Sequence, residues 1–112
     1  MTRSHAYATE LSSAQRASLK GVAHALRPVV LVGNGGFTET VKAEIAHCLE
    51  THEVVKIQVP GQNTAAEKKL ALEELRGHLP AHAHVVARIG RTVILYLEKE
   101  PEDAKVTLRG LR

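Results

Sequence analysis

The sequence predicts one α/β domain with elements in the order α-β-α-β-α-β-β, a mixed four-stranded sheet packed with helices. Three observations carry that expectation. Capping patterns stand ahead of amphipathic segments, short β-branched runs lie between them, and a Gly-Arg pair separates the last two runs. With 112 residues, 44% of them apolar, the chain is long enough for a single modest core.

Residues 1–10 read as a loose polar lead. Ser12 and Gln15 form a capping box that opens a helix running to about Leu26. Leu19, Val22, Ala23 and Leu26 recur at helical spacing and make one buried stripe. Pro28 stops this helix, because the residue before proline is pushed out of the α region. Val29 to Val32 is apolar without alternation, which suits a strand buried on both faces. Thr38 can cap a second helix to about His52, with Val41, Ile45, Cys48 and Leu49 inward. Val54 to Val59 alternates as a strand, and a turn from Pro60 to Asn63 follows. A Thr64–Glu67 capping box starts a third helix that buries Leu72, Leu75 and Leu79 and ends before Pro80. His84 to Ile89 and Thr92 to Leu97 then pair as a hairpin over Gly90-Arg91, glycine first as in a type II′ turn. The β-α-β order places the first two strands parallel, and the hairpin makes the sheet mixed. Residues 98–112 form a charged tail beyond the domain at 11–97.

Fifteen Lys/Arg against twelve Asp/Glu leave a formal charge of +3, and its distribution says more than its size. Residues 11–38 carry three basic side chains and no acidic one, whereas 39–53 carry four acids and one lysine. One basic and one acidic face are expected, as in a weak or moderate polyanion binder. Tyr7, Phe37 and Tyr96 are the only aromatics besides histidine, so base stacking on a broad aromatic platform is excluded. Cys48 is the single cysteine, which rules out an intrachain disulfide and points to a reducing compartment. Without a signal-like segment or an apolar run near the roughly 20 residues of a membrane span, a cytoplasmic location is expected.

The chemistry concentrates in Gly33-Asn34-Gly35-Gly36, where a short strand feeds a helix through a loop nearly devoid of side chains. Such a backbone can approach a phosphate closely. No third glycine follows at dinucleotide spacing and no Gly-Lys-Ser/Thr, so a nucleotide cofactor is not expected. A Gly-x-x-Gly pattern fits instead, by which some RNA-binding modules clamp a nucleic-acid backbone, although a plain tight turn also accounts for it. Arg16, Lys20 and Arg27 fall in a narrow sector of the first helix, flanking its apolar stripe. Arg91, at the hairpin tip, could present its side chain to a phosphate. The histidine pair His82-x-His84 and the pair Cys48/His52 each lack the third ligand a metal needs, so no metal is expected. No nucleophile, base and orienting acid stand at recognisable spacing, so the chain reads as non-enzymatic.

The run from Leu19 to Thr38, LKGVAHALRPVVLVGNGGFT, resembles the CRM domain, in particular its stand-alone bacterial YhbY-like form. His52-Glu53-Val54-Val55-Lys56-Ile57 and Ile89-Gly90-Arg91-Thr92-Val93-Ile94-Leu95-Tyr96 extend the resemblance, which covers about Leu11 to Leu97 in consistent order. It implies an RNA-binding domain with a fold similar to the C-terminal domain of bacterial translation initiation factor 3. It also implies association with precursors of the large ribosomal subunit; plant relatives act in group II intron splicing. In that family the Gly-x-x-Gly loop, here Gly33 to Gly36, and neighbouring basic residues form the RNA surface, which draws in Lys20 and Arg27, then Lys56 and Arg91. The chain departs from the family at Leu97, where an arginine is common; either Arg88 or Arg91 compensates for it or this contact is missing.

The expected function is therefore RNA binding, with ribosomal RNA in large-subunit precursors as partner, no cofactor, no membrane, no small-molecule substrate, and action as a monomer. The competing expectation is an adaptor that docks a basic ribosomal protein through Glu39, Glu50 and Glu53 on the acidic side of the second helix.

Overall fold

The computed structural model describes residues 7, 10–33, 35–61, 64–100 and 104. Most of the expected lead and tail, Asn34, and Gln62-Asn63 of the expected turn lie outside the described residues. Three helices and four strands follow in the expected order: α1 (Ser13–Ala23), β1 (Pro28–Leu31), α2 (Glu39–His52), β2 (Val54–Gln58), α3 (Ala65–Gly77), β3 (Ala83–Ile89) and β4 (Thr92–Leu97). The sheet order is β1-β2-β4-β3, with β1 parallel to β2 and the other two pairings antiparallel.

Both capping boxes form, Ser12 with Gln15 and Thr64 with Glu67, and Thr38 caps α2 through a 3.2 Å bond from the Val41 amide. At the hairpin tip Gly90 takes φ +61°, a left-handed value that glycine adopts freely.

The two sheet faces carry separate cores. On one, Val30, Val32, Val55, Ile57, Val93 and Leu95 pack with Ile45 and Leu49 of α2 and Leu75 of α3. On the other, Leu19 and Ala23 of α1 close over Val54, Ile94, Tyr96 and Val86. Leu72 and Leu79 are only partly buried, although they pack on the first core as expected.

Two expectations are corrected. α1 ends at Ala23 rather than Leu26, and Val22 and Leu26 are 41% and 38% exposed instead of buried. β1 is an edge strand, not a doubly buried one, since Val29 is exposed and Leu31 is 70% exposed. Both corrections have one cause. A single short helix covers this face, its core partners lie on β2, β3 and β4, and β1 stays bare.

Candidate nucleic-acid interface

The uncovered part of the α1 face is a row across all four strands. Leu31 pairs with Gln58, Gln58 with Thr92, and Thr92 with Ile89. Side chains alternate between faces along a strand. Val30, Val32, Ile57 and Val93 occupy the α2–α3 core, so this row points to the α1 side, beyond the residues that α1 covers. Leu31 and Ile89 are exposed there.

At the end of the sheet next to this row, three connections converge. The glycine loop leaves β1, Pro60-Gly61 leaves β2, and Gly90-Arg91 joins β3 to β4. The Val32 amide bonds Gln58 O at 2.8 Å, the Val59 amide bonds Arg91 O at 2.9 Å, and Arg91 Nε returns a 3.3 Å bond to Val59 O. Arg91 is thereby held in the same cluster of connections as the loop.

Within the loop, the Gly36 amide bonds Gly33 O at 3.0 Å, and among its described residues only Gly36 takes a left-handed backbone, φ +74°. Gly33 has neither a left-handed φ nor any neighbour within 4 Å of an added Cβ, and Gly35 would meet only Thr38 Cγ2 at 3.9 Å. The fold therefore needs glycine at Gly36 but leaves Gly33 and Gly35 open to an outside molecule at close range.

The entrance to α2 is less available to an anion. Glu39 sits in its first turn, and Lys42, 2.8 Å away, holds the Glu39 carboxyl below its ordinary range by hydrogen bonding and charge. With the Thr38 cap, this carboxylate already meets the positive helix end.

The basic candidates divide into three groups. Lys20 and Arg27 are exposed, near the C-terminal end of α1 and the start of β1. Arg91 stands at the opposite end of the sheet. Gly33 lies six residue steps after Arg27, which at about 3.3 Å per extended step is roughly 20 Å. Lys56 and Arg16 are engaged inside the fold. Lys56 Nζ donates to Leu26 O at 3.0 Å and His24 O at 3.4 Å, closing the carbonyl end of α1. One Arg16 terminal nitrogen donates to Val85 O and Val86 O, both at 2.8 Å, where the β3–β4 register slips between Val85 and Ala87. Asn34 lies outside the described residues.

Glu53 overturns part of the adaptor expectation. It is fully buried at the C-cap of α2 with φ +66°, and its carbonyl accepts the Leu97 amide at 2.8 Å. No partner can reach it, and Glu39 is already paired with Lys42.

Among the described residues no group of three or more His, Cys, Asp or Glu could hold a metal, and no helix is long and apolar enough to cross a membrane. Cys48 packs against the larger core, and burial pushes its thiol up from the ordinary value. His84 Nε2 lies 3.7 Å from the Glu98 carboxylate, and burial outweighs that charge, so the imidazole is harder to protonate than usual.

The model of the CRS1 / YhbY (CRM) domain matches residues 11–96. The chain belongs to this family. A Haemophilus influenzae relative named "RNA-binding protein" is 38% identical over 100 residues, 89% of this chain and 96% of the relative. A Bacillus subtilis relative, named a probable RNA-binding protein, YqeI, is 34% identical over 99 residues, covering 88% and 98%. Among solved structures, the solution structure of the hypothetical protein SAV1595 from Staphylococcus aureus, a candidate RNA-binding protein, is similar with a TM-score of 0.66. That match is 30% identical and covers 81% of this chain and 92% of the other. The matched CRM segment ends at Tyr96, the residue before Leu97, which is buried in the larger core. The family is one of RNA-binding domains, not a class of enzymes.

Proposed function

We propose that the chain binds RNA without catalysis, acting as a monomer on ribosomal RNA in precursors of the large ribosomal subunit. The loop from Gly33 to Gly36 approaches the phosphate backbone, Lys20 and Arg27 supply charge at one end of the surface, and Arg91 supplies it at the other. The observation that carries this reading is the loop itself. Two of its glycines answer no demand of φ or of internal space, and it follows the uncovered edge strand β1, whose other end adjoins the exposed Arg27. The relatives named as RNA-binding proteins support the same ligand class. The roughly 20 Å between loop and Arg27 suits several consecutive nucleotides, so recognition rests chiefly on backbone path and RNA shape. Lys56 and Arg16 position α1 and are not counted among the phosphate contacts.

Crosslinking in cells followed by sequencing of the bound RNA tests the partner. Enrichment of precursor large-subunit ribosomal RNA is expected. Recovery of mostly messenger or transfer RNA would defeat the ribosomal part and leave RNA binding standing.

A further inference from the structure

On the α2–α3 side of the same loop lies a cavity of about 130 Å³ that the backbone contacts above do not use. Its walls are apolar, with Val32, Val59 and Leu72 among them, and Gly36 and Phe37 stand at the loop side. Two polar side chains share it, Arg88 from β3 and Glu74 from α3. Arg88 Nε donates to Gly90 O at 2.8 Å, which fixes the guanidinium plane, yet its Nη1 is shut off from water with no acceptor among the described residues. A buried donor left unpaired is costly and calls for a ligand or another partner. Among the described residues the Glu74 carboxylate has His78 Nε2 as its one ion-pair neighbour, 4.0 Å away and beyond hydrogen-bond reach.

We propose that this cavity takes one guanine base of the bound RNA, turned out of the strand as the backbone crosses the glycine loop. The volume, close to the roughly 150 Å³ of an engineered cavity that admits benzene, takes one edge of the purine with the rest of the base at the open mouth, and it is far below a cofactor site. A phosphate fits poorly, because apolar walls would strip its water and Glu74 would repel it. A neutral ring is favoured by both facts. Guanine offers acceptors at O6 and N7 for the arginine, and N–H donors on its Watson–Crick edge for the carboxylate. Adenine presents an amino group where guanine presents O6, and so faces the arginine with a donor. Phe37, whose ring centroid lies 5.2 Å from that of His78, adds an aromatic edge beside the pocket. The inference rests on the RNA reading and adds one sequence-selective position to an interface that otherwise reads shape.

The test uses the full chain and single-stranded oligouridylates carrying one central G, A, C or U, with dissociation constants measured by fluorescence anisotropy at fixed salt. The G oligomer should bind about tenfold more tightly than the other three, the span expected of a bidentate base contact. Arg88→Met should flatten that preference to within about twofold. Glu74→Gln, on an exposed helix position, should reduce it while the fold is unperturbed. Lys20→Ala should weaken all four oligomers alike and keep their order. Equal binding of the four by the unaltered protein, or a G preference that survives both pocket substitutions, would overturn the pocket. Absence of salt-sensitive binding to any of the oligomers would overturn the RNA reading beneath it.

Discussion

Arg16 shows how a cation on a basic helix flank can serve the fold instead of a ligand. Its two 2.8 Å bonds go to carbonyls at the irregular point of β3, where strand pairing leaves acceptors over. Charge-assisted bonds of this kind contribute about 1.5–3 kcal/mol each. Arg16→Met should therefore lower unfolding free energy by about 3–6 kcal/mol in urea titrations, with RNA affinity per folded molecule unchanged. His84 gives a second residue-level expectation. Burial lowers its folded pKa below the ordinary 6.5, so the unfolded chain binds the proton more readily. Stability is then fully present above about pH 6.5 and falls as pH drops towards the folded value. Melting temperatures measured from pH 7.5 down to 5.5 should decline, and His84→Gln should remove that part of the decline.

At the scale of elements, the glycine loop holds one glycine that its backbone requires and two that it does not. Gly36→Ala forces a side chain into φ +74° and should cost about 1–2 kcal/mol. Gly33→Ala meets no neighbour and should leave thermal stability unchanged while weakening RNA binding severalfold, because its methyl group intrudes where phosphate approaches. Equal RNA affinity for Gly33→Ala and the unaltered chain would remove the loop from the interface. The C-terminal end of α1 depends on Lys56, whose ammonium closes the His24 and Leu26 carbonyls. Lys56→Met should cost about 1 kcal/mol, read from a shifted denaturation midpoint.

Over the whole molecule, the element order and most boundaries were legible because they rest on local signals. Capping boxes and the β-branched runs each act within a few residues, and the structure repeats them. What the sequence could not reveal depends on which element lies over which. A run such as Val29 to Val32 reads as doubly buried until the sheet order places β1 at an edge that α1 does not cover. Glu53 shows the same limit, since its charge on an acidic helix gives no sign of a left-handed cap buried against β4. The candidate loop was visible in four consecutive residues, whereas the engagement of Arg16 and Lys56 and the cavity beside Arg88 arise from contacts between distant segments.

The proposed interface joins the exposed Lys20 of α1 and Arg27 of the α1–β1 connection to the glycine loop on an RNA backbone. Equilibrium binding to a large-subunit ribosomal RNA fragment, measured against salt for the unaltered chain and for Lys20→Ala/Arg27→Ala, tests it most directly. Each lost phosphate contact reduces the slope of log affinity against log salt by about 1, so the double variant should bind more weakly with a slope shallower by about 2. An unchanged slope and affinity would contradict the account.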